Sequence, residues 1–167
     1  MALVQRIQDI LLKPKDTWPV IAQEAGDTAS LYRNYIAPIA LVPAVAGFIG
    51  LSLVGVGGFG YSLRVPLVTG LVNMVVGYVL SLVMVFVLAL IVDALAPTFG
   101  GTKNQANALK LVGYGATAGF LGGIFNLFPA LSILGLLAAL YSVYLIYTGL
   151  PVLMRCTADK ALSLIHI

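Results

Sequence analysis

The sequence predicts an all-α fold: a polytopic membrane bundle of four transmembrane helices, preceded by amphipathic interfacial helices. Three observations carry that expectation. Sixty per cent of the residues are apolar and 9% are charged, against roughly a quarter charged in a soluble domain. Mean hydropathy is +1.04. The charges are also clustered, with none between Arg33 and Arg64, between Arg64 and Asp93, or between Lys110 and Arg155.

The first element is LVQRIQDILL at 3–12. Leu3, Val4, Ile7, Ile10 and Leu11 share one helical face, and Gln5, Arg6, Gln8 and Asp9 share the other. Such a helix lies in a membrane interface. It is no secretory leader, whose apolar core is continuous. Lys13-Pro14-Lys15 interrupts it, because the residue before proline avoids helix. Asp16 or Thr17 then caps a second short helix, with Pro19 in its first turn, running to Gly26. Trp18 suits headgroup depth as an interfacial anchor. Packing of residues 1–30 against the bundle is an equally open reading.

A bilayer core of about 30 Å takes about 20 apolar residues as helix. Residues 34–54 supply span one and 65–92 span two. Leu111–Met154 is long enough for two, 111–126 and 130–154, broken at Asn126-Leu127-Phe128-Pro129, where proline starts the later helix. A tail, 155–167, follows. Arg6, Lys13, Lys15, Arg33, Lys103, Lys110, Arg155 and Lys160 fall on one side and Arg64 alone on the other. That bias places both termini in the cytoplasm.

The net charge of +3 is too small and too dispersed for a nucleic-acid partner. One cysteine, Cys156, and one histidine, His166, allow no internal disulfide, cysteine metal site or intramembrane serine–histidine pair. We therefore expect no catalytic, metal or cofactor site, and not an enzyme. Gly55, Gly57 and Gly60 in GVGGFG fit a dinucleotide fingerprint in spacing only. A membrane helix precedes them, and Leu80 stands where an acid is needed, so a flexible turn is the expectation. Gly115, Gly119 and Gly123, four apart, mark a helix-packing face. Asn73, Tyr78, Ser81, Thr117 and Asn126 are expected to hydrogen-bond between helices, with a solute pathway as the alternative. Asp93 ends span two, where the helix dipole disfavours a carboxylate. Lys103 and Lys110 are its expected partners.

The segments LLKPKDTWPVIAQE, NYIAPIALVPAVAGFIG, LAPTFGGTKNQANALKLVGY, IFNLFPALSILGLLAALYSVYLIYTGLPVLM and ADKAL together resemble the bacterial branch of the Yip family. These Ypt/Rab-interacting membrane proteins carry the Yip-one domain. The resemblance covers nearly the whole chain, with LAPTFGGTKN and YTGLPVLM its most specific pieces. YGATAG at 114–119 departs from it, lacking a Ser-Ser/Thr-Pro pattern.

The resemblance implies a small protein usually of five helices with a cytoplasmic N-terminus, here in a bacterial inner membrane. Eukaryotic relatives act in vesicle traffic, bind prenylated small GTPases and assemble with one another; the bacterial branch has no settled activity. Within this frame Pro97 stops the helix, Gly100-Gly101 turn the chain, and Lys103–Leu109 form a short helix into span three. Asp93, Pro97, Gly100, Gly101, Lys103 and Asn104 then make a candidate contact loop. The expected function is a non-enzymatic scaffold or adaptor organising protein partners or lipid at the cytoplasmic face, with self-association among its options. A small transporter or channel is the alternative.

In the family, DKAL leads into a fifth helix. Here SLIHI follows, a rise of about 7.5 Å, so the fifth span is missing. Ser142, Tyr144, Tyr147 and Thr148 make span four polar, which lipid disfavours. A truncated chain, with a groove lined by small or polar residues beside the spans, is therefore expected over a natural four-span form.

Overall fold

Backbone in lipid must satisfy its own hydrogen bonds, so the charge-free runs become helices. The computed structural model describes residues 3–25, 27–58, 61–128 and 131–156. Four helices are long and apolar enough to cross a membrane: Thr28–Val54, Leu67–Phe99, Gln105–Leu127 and Ile133–Leu153. The sequence readings at Gly26, Gly60, Pro129 and 157–167, including His166, lie outside the described residues.

Two helices precede the spans, α1 (Leu3–Leu12) and α2 (Pro14–Gln23). The buried face of α1 differs from the apolar face read in the sequence. Arg6 and Ile10 are buried, Leu3, Ile7 and Leu11 pack against the core, and Val4 is 64% exposed. At about 100° per residue, Val4 lies to one side of Leu3 and Arg6 to the other. Apolarity alone chose Val4. The ion pair of Arg6 with Glu24 turns the helix the other way. Neither Asp16 nor Thr17 caps α2, which starts at Pro14. The Thr17 hydroxyl instead donates to the carbonyls of Lys13 (2.7 Å) and Asp9 (3.0 Å), tying the two helices together.

Span one begins at Thr28, before the expected 34. It comprises α3 (Thr28–Leu31), a π turn at Tyr32–Ile36, α4 (Ala37–Phe48) and a second π turn at Ile49–Val54. Pro38 cannot donate to the carbonyl four residues back and crowds it. That carbonyl belongs to Asn34, inside the first π turn, and widening the turn relieves the crowding. Gly55 (φ +87°) ends the span. The following glycine-rich stretch is a small antiparallel ribbon, β1 (Val56–Gly58) with β2 (Tyr61–Leu63), rather than a bare turn.

Span two is α5 (Leu67–Leu95) plus a 3-10 turn at Ala96–Phe99. Its 29 helical residues rise about 43 Å, more than a bilayer core. Span three is α6 (Gln105–Gly115), α7 (Thr117–Gly122) and a 3-10 turn at Gly123–Leu127. Asn104 caps it, its side-chain oxygen accepting from Asn107 N at 3.0 Å. Span four is α8 (Ser132–Leu153).

Span three is the centre of the bundle. Every residue from Ala108 to Gly115 is buried, against spans one, two and four. Span two is the opposite, with most of its apolar side chains exposed.

Candidate functional site

The polar side chains of the chain converge where α1 and α2 cover the ends of spans one, three and four. Trp18 is fully buried. Its indole Nε1 donates to Thr148 Oγ1 of α8 at 3.1 Å, and a side chain at Gly149 would strike its ring at 2.7 Å. Trp18 is therefore a core residue and not the headgroup-depth anchor expected of it. The Tyr141 hydroxyl of α8 donates to the Leu11 carbonyl at 2.7 Å, fixing the end of α1.

Lys110 is buried at the start of span three. Its ammonium donates to the carbonyls of Ile21 (3.1 Å) and Glu24, where helix α2 ends and its last carbonyls lack intrahelical donors. Lys110 is thus not the partner of Asp93. Lys103 is exposed, and the ion pair among the described residues is Arg6 with Glu24. Asp93 Oδ1 is buried with no hydrogen-bond partner among the described residues.

Beside Lys110 the Arg6 guanidinium pairs with Glu24 through Nη2 and lies 5.8 Å from the Tyr114 ring centroid. Tyr114 packs on Tyr35 at 4.4 Å between centroids. The Tyr35 hydroxyl meets Thr117 Oγ1 at 2.8 Å, and Thr117 donates to the Tyr114 carbonyl at 2.6 Å. A cavity of about 380 Å³ opens here, lined by Leu3, Arg6, Glu24, Ala25, Asn34, Tyr35 and Tyr114. The sequence reading missed this cluster because it placed Arg6 on the wetted face and Lys110 in a loop. One signal was available: each lies among apolar residues at helical spacing.

The 93–104 segment is docked. Pro97 sits in the 3-10 turn and Gly100 is left-handed (φ +76°). A Cβ on Gly101 would fall 2.6 Å from both Cys156 Sγ and the Met154 carbonyl oxygen. Thr102 N donates to that carbonyl at 2.9 Å, and Asn107 Nδ2 donates to the Leu153 carbonyl at 3.1 Å. The loop therefore closes over the end of span four, leaving Pro97, Lys103 and Asn104 exposed. Burial pushes the Cys156 thiol above its usual pKa.

The three glycines at four-residue spacing face two helices. A side chain on Gly115 would meet Ile146, and one on Gly119 would meet Ser142, both on α8. Gly123 faces Pro43 of span one, and Gly122 takes the next place against α8 at Ala138. The switch to 3-10 winding at Gly123 rotates the face. Two of span four's polar residues, Ser142 and Thr148, are used within the chain, whereas Tyr144 is exposed. Ser142 accepts from Gly119 N at 2.7 Å and Thr148 from Trp18, so they no longer argue for a lost helix.

A groove of about 270 Å³ does lie between spans one and two. Ala44, Gly47, Gly77, Asn73, Tyr78 and Ser81 line it, and Ser52 there has a buried, unpartnered Oγ. Tyr78 also donates to the Ala37 carbonyl, at 3.2 Å. Among the described residues no three metal-ligating side chains come together.

Residues 9–167 match the Yip1 domain. The chain is 28% identical over 154 residues to two proteins entitled "Inner membrane protein YohC", from Escherichia coli strain K12 and from Escherichia coli O6:H1 strain CFT073. Each alignment covers 90% of this chain and 79% of the relative. No solved structure matches it.

Proposed function

This chain belongs to the Yip1 domain family of integral membrane proteins, and from that premise we propose that it is a non-enzymatic scaffold or adaptor. It organises protein partners or lipid at its cytoplasmic face. The observation that carries this is the clamped cap. Trp18, Arg6 and Lys110 hold α1 and α2 against spans three and four, while Gln5, Gln8, Lys15, Asp16 and Val20 stay exposed on the outside. Cap and spans form one packed unit, so a partner meets a preformed surface and little ordering entropy opposes binding. The excess of bases on the cap side supports a cytoplasmic N-terminus in a bacterial inner membrane.

Affinity capture of the tagged full chain from detergent tests this. The expected result is a reproducible set of proteins or lipids, lost with Lys15→Glu and Val20→Asp while thermal unfolding stays unchanged. Cysteines introduced at 58 and 105, in a Cys156→Ser background, should label from opposite sides of the membrane. A transporter or channel is the second reading, favoured by the polar groove of Ser52, Asn73, Tyr78 and Ser81. Gradient-driven solute flux in proteoliposomes would replace the scaffold with it.

A further inference from the structure

Two cations are buried together under α1 and α2. Arg6 and Lys110 are each 7% exposed, and the carboxylate beside them, Glu24, is half-buried. The Lys110 ammonium is met by carbonyl oxygens rather than by an acid. Asp9, three residues from Arg6, accepts from Gln5, and the exposed Asp27 lines a small pocket with Lys110. Of the two cations Arg6 alone lines the adjoining cavity, where Glu24 is its charged partner. Among the described residues that guanidinium fills only its Nη2 donor; buried donors left unfilled are costly, and an anionic acceptor in the cavity would offset the cost.

The geometry suits one kind of anion. A guanidinium offers five donors in a planar fork that matches phosphate oxygens. Glu24 engages Nη2, and among the described residues Arg6 hydrogen-bonds no other group. The Tyr114 ring beneath it fixes the plane, with the cavity alongside. Asn34 also lines the cavity. At about 380 Å³, the cavity is in the size class of small-ligand sites, about 300 Å³ and upward. Basic pockets among membrane helices at the cytoplasmic side take lipid headgroups. We infer that the Arg6 cavity is a phosphate-binding site whose ligand is the phosphodiester headgroup of an anionic lipid. Arg6 is the principal donor and Glu24 a built-in competitor that tempers affinity. The inference rests on the scaffold reading and names the lipid that it organises.

The test uses the delipidated full chain, offered phosphatidylglycerol or phosphatidylcholine and read by native mass spectrometry. The expected result is a preference for phosphatidylglycerol of about tenfold, the scale of one charge-assisted contact. Arg6→Gln should bring the two lipids to parity, Arg6→Lys should retain part of the preference, and Glu24→Gln should increase it. If Arg6→Gln fails to fold, the Glu24→Gln increase still reads the site. Displacement of the lipid by glycerol 3-phosphate or inorganic phosphate would support the same site with a soluble phosphate as its ligand. No displacement, with the preference kept, would support the lipid. Parity between lipids in the wild type, or an undiminished preference in a folded Arg6→Gln variant, overturns the inference. Protein capture unchanged by that failure would leave the scaffold reading standing.

Discussion

The indole nitrogen of Trp18 and the hydroxyl of Thr148 meet at 3.1 Å across 130 positions of sequence. That bond joins the second helix of the chain to the last span. The ring around it is fully buried, so the contact is a packing joint with a hydrogen bond at its centre.

Truncating that joint should cost most of what a buried aromatic contributes. Trp18→Ala is expected to lower unfolding stability by about 3–5 kcal/mol, and Trp18→Phe by less, since packing is largely kept. Thermal unfolding in detergent measures both. An interfacial anchor would instead show unchanged stability with altered membrane seating.

The orientation of α1 makes a second prediction. Ile10→Asp puts a charge into a fully buried position and should destabilise the cap severely. Val4→Asp, at a position 64% exposed, should change stability by about 0.5 kcal/mol or less. Equal losses from the two would restore the face that apolar spacing alone suggests.

Gly101 gates access to a thiol. Its missing side chain leaves room for Cys156 Sγ and the Met154 carbonyl. Burial raises the thiol pKa, so at neutral pH less of it is thiolate, the form that reacts. Wild-type Cys156 should alkylate slowly, faster as pH rises. Gly101→Val should lift the loop and speed labelling at neutral pH, read by mass spectrometry of the intact chain.

Asp93 should be dispensable for the fold. Its Oδ1 is buried without a partner among the described residues, so Asp93→Asn should be neutral or stabilising by about 1 kcal/mol, because removing an uncompensated charge lowers its desolvation cost. A fall in melting temperature would mean that the carboxylate has an unseen stabilising partner.

The spans were legible because their signal is one-dimensional. Charge-free length and apolarity were enough to place helices over Leu67–Leu95 and Ser132–Leu153, and a glycine at position 100 marked the turn. The site was not legible, because its residues come from four distant segments. Arg6, Glu24, Tyr35 and Tyr114 become neighbours only when α1 folds back on span three. Trp18 failed for a related reason: burial in protein and seating at headgroup depth ask for the same residue, and only the shape opposite it, here Gly149, distinguishes them. Proline effects were half legible. Pro129 and Pro97 were read as helix boundaries from the sequence, but widening of the turn ahead of Pro38 needed the packed helix.

The contrast between spans two and three governs how the bundle is assembled. Span two has a hydropathy of 3.0 and span three only 1.3, so span two partitions into lipid unaided, whereas span three depends on company to remain there. Its polar and small residues are shielded by α8 and span one, and Lys110 and Tyr114 by the N-terminal helices. Thr148 leaves the ribosome last among these parts, so Trp18 waits for its hydroxyl partner across 130 positions of synthesis. Closure of the N-terminal cap is thus a late event in biogenesis, and span three is the element exposed to quality control until it happens.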